Sequence, residues 1–162
     1  MKRSLAALSL AALPFNALAD DASSQGQFYV AGGGGAQGAT FSAGAGTKVD
    51  ALEINSINLG KVAGGTAKFV GVSLVQNATP KSGFNFLFRI GLARESTTFP
   101  NGLVAHRMWF NNGVYFGIGE QYQANDHLAF RADVYRIVYA ASPDGVAGGI
   151  RYPLTLSAMY IF

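Results

Sequence analysis

Alternation governs this chain. Phe84, Phe86, Phe88, Ile90 and Leu92 are apolar at every second position, with Asn85, Leu87, Arg89, Gly91 and Ala93 between them. Leu128, Phe130, Ala132 and Val134 alternate with Ala129, Arg131, Asp133 and Tyr135. Leu154, Leu156, Ala158, Tyr160 and Phe162 alternate with Thr155, Ser157, Met159 and Ile161. A period of two sends successive side chains to opposite faces of a strand. In each stretch the bulky residues share one face, and small, polar or charged residues take the other. No segment reads as a helix, a linker or a second domain, and there is no repeat of longer period.

Composition narrows what such strands can build. Hydrophobic residues make up 49% of the 162 residues and charged residues 13%, against about 25% charged in ordinary soluble domains. Disorder requires the opposite balance. The chain has no cysteine, which excludes disulfides, thiolate zinc sites and iron–sulfur clusters. Beyond the N-terminus no apolar run approaches the ~20 residues of a spanning helix. An apolar, charge-poor chain with 21 glycines leaves two architectures. One is a soluble β-protein around an apolar cavity, and the other is a transmembrane β-barrel.

The first residues have the layout of a secretory signal peptide. Lys2 and Arg3 precede an apolar stretch from Ser4 to Leu13, Pro14 breaks it, and Ala17-Leu18-Ala19 offers small residues ahead of Asp20. Cleavage is expected after Ala19, leaving residues 20–162 as one barrel domain. The 10 basic and 9 acidic residues that remain are nearly balanced and scattered. That distribution gives no support to nucleic-acid binding, which needs clustered cations.

Eight strands are expected: Gly26–Gly35, Ala39–Thr47, Val49–Leu59, Ala67–Asn77, Gly83–Glu95, Met108–Gln123, His127–Ala140 and Ile150–Phe162. A membrane strand needs about 9–11 residues, and closed bacterial barrels favour even numbers. Parity alone does not say which face is inside. Three features favour the inverted, membrane arrangement. Gly91, Gly117 and Gly119 suit a narrow interior, Tyr122, Tyr160 and Phe162 stand at strand ends on the apolar face, and the leader exports the chain. The expected fold is therefore all-β, a closed eight-stranded antiparallel up-and-down transmembrane β-barrel. Even numbering puts both termini at the periplasmic side. Glu120 and Arg136 carry outward parity; Glu120 lies near the headgroups, is re-aimed by a bulge or meets a partner, the first being favoured, and Arg136 is late enough in its strand to snorkel.

The run Gly117-Ile118-Gly119-Glu120-Gln121-Tyr122, the turn Asn125-Asp126-His127-Leu128, and Arg131-Ala132-Asp133-Val134-Tyr135-Arg136 resemble OmpA-like outer-membrane β-barrels. Leu52-Glu53-Ile54 ahead of Leu59-Gly60 looks similar as well. The ending Ala158-Met159-Tyr160-Ile161-Phe162 is similar to the signal read by the barrel-assembly machinery, with Tyr160 and Phe162 carrying it. The resemblance implies a lumenal pair of Glu53 with Arg131. Arg89 and Asp133 share the inward parity and complete a candidate cluster. A second inward charge pair of some members falls near Gln76 and Gln121, both neutral here. A charge in a narrow lumen must be paired, so these residues either fill the interior or gate a small pore; filling is favoured, because eight strands leave just enough room for side chains.

No catalytic, metal or cofactor motif is found. His106 and His127 are expected on opposite sides of the membrane, and Gly32–Gly35 lacks the residues of a phosphate loop. The expected role is an integral outer-membrane protein with a structural or surface-interaction, adhesin-like function. It would be a monomer among outer-membrane lipid and lipopolysaccharide, with a host or protein surface ligand as a further partner. Phe99, Pro100, Leu103, His106 and Trp109 are the candidate surface contacts. The alternatives are a lipid A-modifying enzyme built around His106 with Ser96 or Ser142, a soluble periplasmic barrel holding an apolar ligand, and a narrow channel.

Overall fold

The computed structural model describes residues 26–62, 65–78, 83–98, 108–140 and 149–162. The expected leader lies outside the described residues. Among the described residues every regular element is a strand: β1 (Gln27–Gly35), β2 (Gly38–Gly46), β3 (Asp50–Val62), β4 (Gly65–Asn77), β5 (Phe84–Thr98), β6 (Met108–Gln123), β7 (Leu128–Tyr139), β8 (Gly149–Arg151) and β9 (Leu154–Ile161). The last expected strand is thus two pieces. Pro153 has no N–H to give to the ladder, so pairing lapses there. Exposed residues nevertheless recur at every second position from Ile150 to Phe162, with less exposed ones between them, and Pro153 O still accepts from Tyr135 N at 3.0 Å. β8 and β9 are one stave of the barrel.

From β1 to β8 each strand pairs antiparallel with the next, and β9 pairs with β7 and β1 rather than with β8. The β6–β7 ladder closes the ring, so among the described residues the sheet is a barrel of eight staves, with β8 and β9 counted as one. From Gly33 the register runs one way through Thr40, Ile57 and Phe69, and the other through Ser157, Arg131 and Gln121. The two routes reach β5 ten residues apart, at Glu95 and Asn85. Ten residues of stagger at ~3.3 Å, against eight strand spacings of ~4.8 Å, tilt the strands by about 40°.

Local chemistry sets the turns at the end where the first and last strands terminate. Thr47 Oγ1 accepts from Val49 N and Asp50 N, both at 3.1 Å. Asn125 Oδ1 accepts from His127 N at 2.9 Å and Leu128 N at 2.8 Å. Such side-chain turns satisfy backbone donors that no strand can reach. At the other end of the barrel a bulge shifts the β3–β4 register between Asn58 and Gly60. Gly60 takes φ +70° there, a conformation that few residues other than glycine adopt.

The two faces settle what parity left open. Phe28, Ile54, Val72, Leu74, Phe88, Ile90, Leu92, Ile118 and Leu156 stand exposed on the outside. Glu53, Arg89, Arg131 and Asp133 are between 1% and 4% exposed, inside. A water-soluble barrel has the reverse arrangement. Exposed aromatics gather near the terminal end: Phe84 lies 4.9 Å from Tyr122, and Tyr160 lies 5.0 Å from Phe162, ring centre to ring centre.

Candidate functional site: the lumenal charge cluster

The lumen is layered. Tyr29, Ala31, Ala129, Met159 and Ile161 form an apolar layer near the terminal end. Ile57, Leu59, Phe69, Tyr115, Tyr135 and Ile137 belong to a larger apolar layer toward the other end. Four charges lie between them, on three strands of like direction: Glu53 on β3, Arg89 on β5, and Arg131 and Asp133 on β7.

Glu53 is the hub. Its Oε2 accepts from Arg131 Nη1 at 2.6 Å and from the Tyr29 hydroxyl at 2.8 Å. Its Oε1 accepts from Arg89 Nε at 3.2 Å. Arg89 Nη1 then donates to Asp133 Oδ1, and the Tyr135 hydroxyl donates to Asp133 Oδ2 at 3.3 Å. Both guanidiniums also lie by rings, Arg131 at 5.2 Å from the centre of Tyr29 and Arg89 at 5.7 Å from that of Tyr135. Two cations and two anions cancel. Charges this deep are tolerated only when paired and hydrogen-bonded. Glycine makes the space, because a Cβ at Gly44 would collide with the Tyr29 ring and one at Gly119 with the Asp133 carboxylate.

The structure brings Glu53, Arg89, Arg131 and Asp133 together. Sequence reasoning missed Tyr29 and Tyr135, whose inward parity beside Ala31 and Asp133 was available to read. It also missed a second pair farther from the termini, where Arg151 Nη2 lies 3.7 Å from Glu95 Oε1. Gln121 points inward, but Gln76 does not. The inward positions of β4 are Ala67, Phe69, Gly71, Ser73 and Val75, so Gln76 shares the outer parity of Leu74. Glu120 and Arg136 are exposed on the outer face. Tyr160 and Phe162 are exposed there as well. Phe99, Pro100, Leu103 and His106 lie outside the described residues. Trp109 lies in β6, its backbone opposite Thr97.

An inverted, closed, eight-stranded antiparallel barrel filled by its own side chains is the architecture of small membrane barrels. Comparison with solved structures gives the same fold. The N-terminal β-barrel domain of Pseudomonas aeruginosa OprF superposes with a TM-score of 0.60 at 16% identity, covering 85% of this chain and 96% of that one. Neisserial surface protein A superposes with a TM-score of 0.52 at 13% identity, covering 84% and 93%. No protein-family profile matches the chain, and no curated protein matches it in sequence.

Proposed function

We propose that this chain is an integral outer-membrane β-barrel of the OmpA-like kind, with a structural or surface-interaction role. The inverted polarity carries the reading. An outer surface of exposed Phe, Leu, Ile and Val around a lumen of paired charges is stable only with hydrocarbon outside. Fold likeness to the OprF barrel domain and to neisserial surface protein A supports it. The termini then face the periplasm, and the aromatic cluster of Phe84, Tyr122, Tyr160 and Phe162 marks that interface. Tyr160 and Phe162 serve as the assembly signal. The barrel is an anchor, and the segments at its outer end, including Phe99, Pro100, Leu103 and His106, meet surface partners.

The stacked apolar layers argue against a standing pore, and no observation favours catalysis. The test is gel mobility of the membrane-extracted mature protein in SDS, with and without boiling, beside fractionation. A closed barrel keeps its strand hydrogen bonds internal and stays folded in detergent until heated. A mobility shift and a membrane location are expected. No shift, with release among periplasmic contents without detergent, overturns the proposal.

A further inference from the structure

Arg131 uses only part of its guanidinium in the charge layer. Nη1 donates to Glu53 Oε2 at 2.6 Å. Nη2 meets Met159 Sδ at 3.2 Å, and a thioether sulfur is a weak acceptor. Nε is buried and has no hydrogen-bond partner among the described residues. Nε and Nη2 share one edge of the planar group, with their N–H bonds side by side. That edge is a fork that suits the two oxygens of a carboxylate. Glu53 is engaged elsewhere, since its oxygens take Arg131 Nη1, the Tyr29 hydroxyl and Arg89 Nε. A buried cationic donor without an acceptor is costly.

A cavity lies beside the fork. It measures about 50 Å³ at the terminal end of the lumen, and Arg131 and Met159 both line it. Arg131 stands at its inner end, three residues into β7 from Leu128. Lys48, exposed in the turn between β2 and β3, stands at its mouth with Gln27 and Gln123, the first residue of β1 and the last of β6. Gln121 lines the wall between. Among the described residues no acid lines the cavity. Arg131 and Lys48 therefore leave it positive from floor to rim. The volume is that of one or two water molecules, at about 30 Å³ each in the liquid. A carboxylate group fits such a space, and a sugar ring does not.

We propose that the terminal end of the lumen is a carboxylate-binding site. The Arg131 fork takes both oxygens of the group, and Lys48 draws the anion to the mouth. The side-chain amides of Gln27, Gln121 and Gln123 line the path of whatever carries it, which suits the free carboxyl end of a peptide. The proposal goes beyond the membrane reading above, because the site lies inside the barrel and needs no lipid.

The test is NMR of the nitrogen-15-labelled full chain folded in detergent, following the Arg131 Nε–H signal. Sodium acetate is the probe and acetamide is its neutral match in shape, both at constant ionic strength. Acetate should shift the signal to saturation, and acetamide should leave it in place. Lys48→Gln changes an exposed turn and leaves the charge layer whole. It should weaken acetate by about two- to fivefold, the worth of one solvent-screened charge. N-acetylglycine separates two sources of the carboxylate: tighter binding than acetate assigns the site to peptide ends, and equal binding assigns it to small free carboxylates. A signal that acetate does not move, or that acetamide moves equally, overturns the inference and leaves the fork to water. An acetate affinity untouched by Lys48→Gln puts the binding elsewhere and overturns it too. The boiled and unboiled gel lanes keep the two readings apart, because a heat-shifting barrel with no acetate response sinks this inference alone.

Discussion

Glu53 decides more than any other residue here. It accepts from three donors on three strands, so its loss leaves two buried guanidiniums facing one carboxylate. Glu53→Gln should destabilise the barrel by about 3–5 kcal/mol, the cost of breaking a buried pair rather than the worth of having one. Tyr29→Phe removes one hydrogen bond to the same carboxylate and should cost about 1.5–3 kcal/mol. Urea titration of the barrel folded into lipid vesicles checks both; a larger loss for Tyr29→Phe would contradict the hub. Gly44 tests the space around it. Gly44→Val drives a side chain into the Tyr29 ring, and overpacking of this kind should cost about 1–3 kcal/mol in the same titration.

Each strand carries two solvents on its two faces, and β5 shows the division most clearly. Phe86, Phe88, Ile90 and Leu92 face outward, while Asn85, Leu87, Arg89, Ala93 and Glu95 are buried inward. Ile90 lies mid-belt and Arg94 lies near the far end. Ile90→Arg should cost about 2–4 kcal/mol in vesicle unfolding, because a cation at the midplane loses its water. Moving the same charge to the neighbouring outward position, with Leu92→Arg, should cost less, since Leu92 is closer to the headgroups. Equal penalties would mean that the belt is not aligned with the bilayer as proposed. The alternation that made β5, β7 and β9 readable is strict because both faces are specified. β2 was harder to read: its sequence Gly38-Ala-Thr-Phe-Ser-Ala-Gly-Ala-Gly46 offers small residues to both faces. The break at Pro153 was legible as a proline, but not its consequence, because the register on either side survives.

At the scale of the whole molecule the barrel is a filled cylinder. The charge layer lies between apolar layers in which Phe69, Tyr115 and Ile137 are fully buried. A planar bilayer holding the purified protein should therefore show no steady conductance at moderate voltage. Stable single-channel steps would show that the layers part, and would revive the gating role of the four charges. Among the described strands the cylinder is also polar along its axis outside, with cations toward one end of the outer face and Asp50 and Glu120 toward the other.

The sequence by itself determined that the chain forms strands, where most of them run, and which residues share a face. These follow from covalent geometry, since a strand turns each side chain over with period two. It also put Glu53, Arg89, Arg131 and Asp133 on the same kind of face as glycine and alanine. Only the tertiary structure decided which face is inside. A period-two pattern is unchanged when a barrel is turned inside out, and closure breaks that symmetry. Closure also set the ten-residue stagger, and the stagger brought side chains 36, 44 and 78 residues apart in sequence into one hydrogen-bonded layer. No local pattern encodes such a meeting, because it depends on the register of every ladder around the ring.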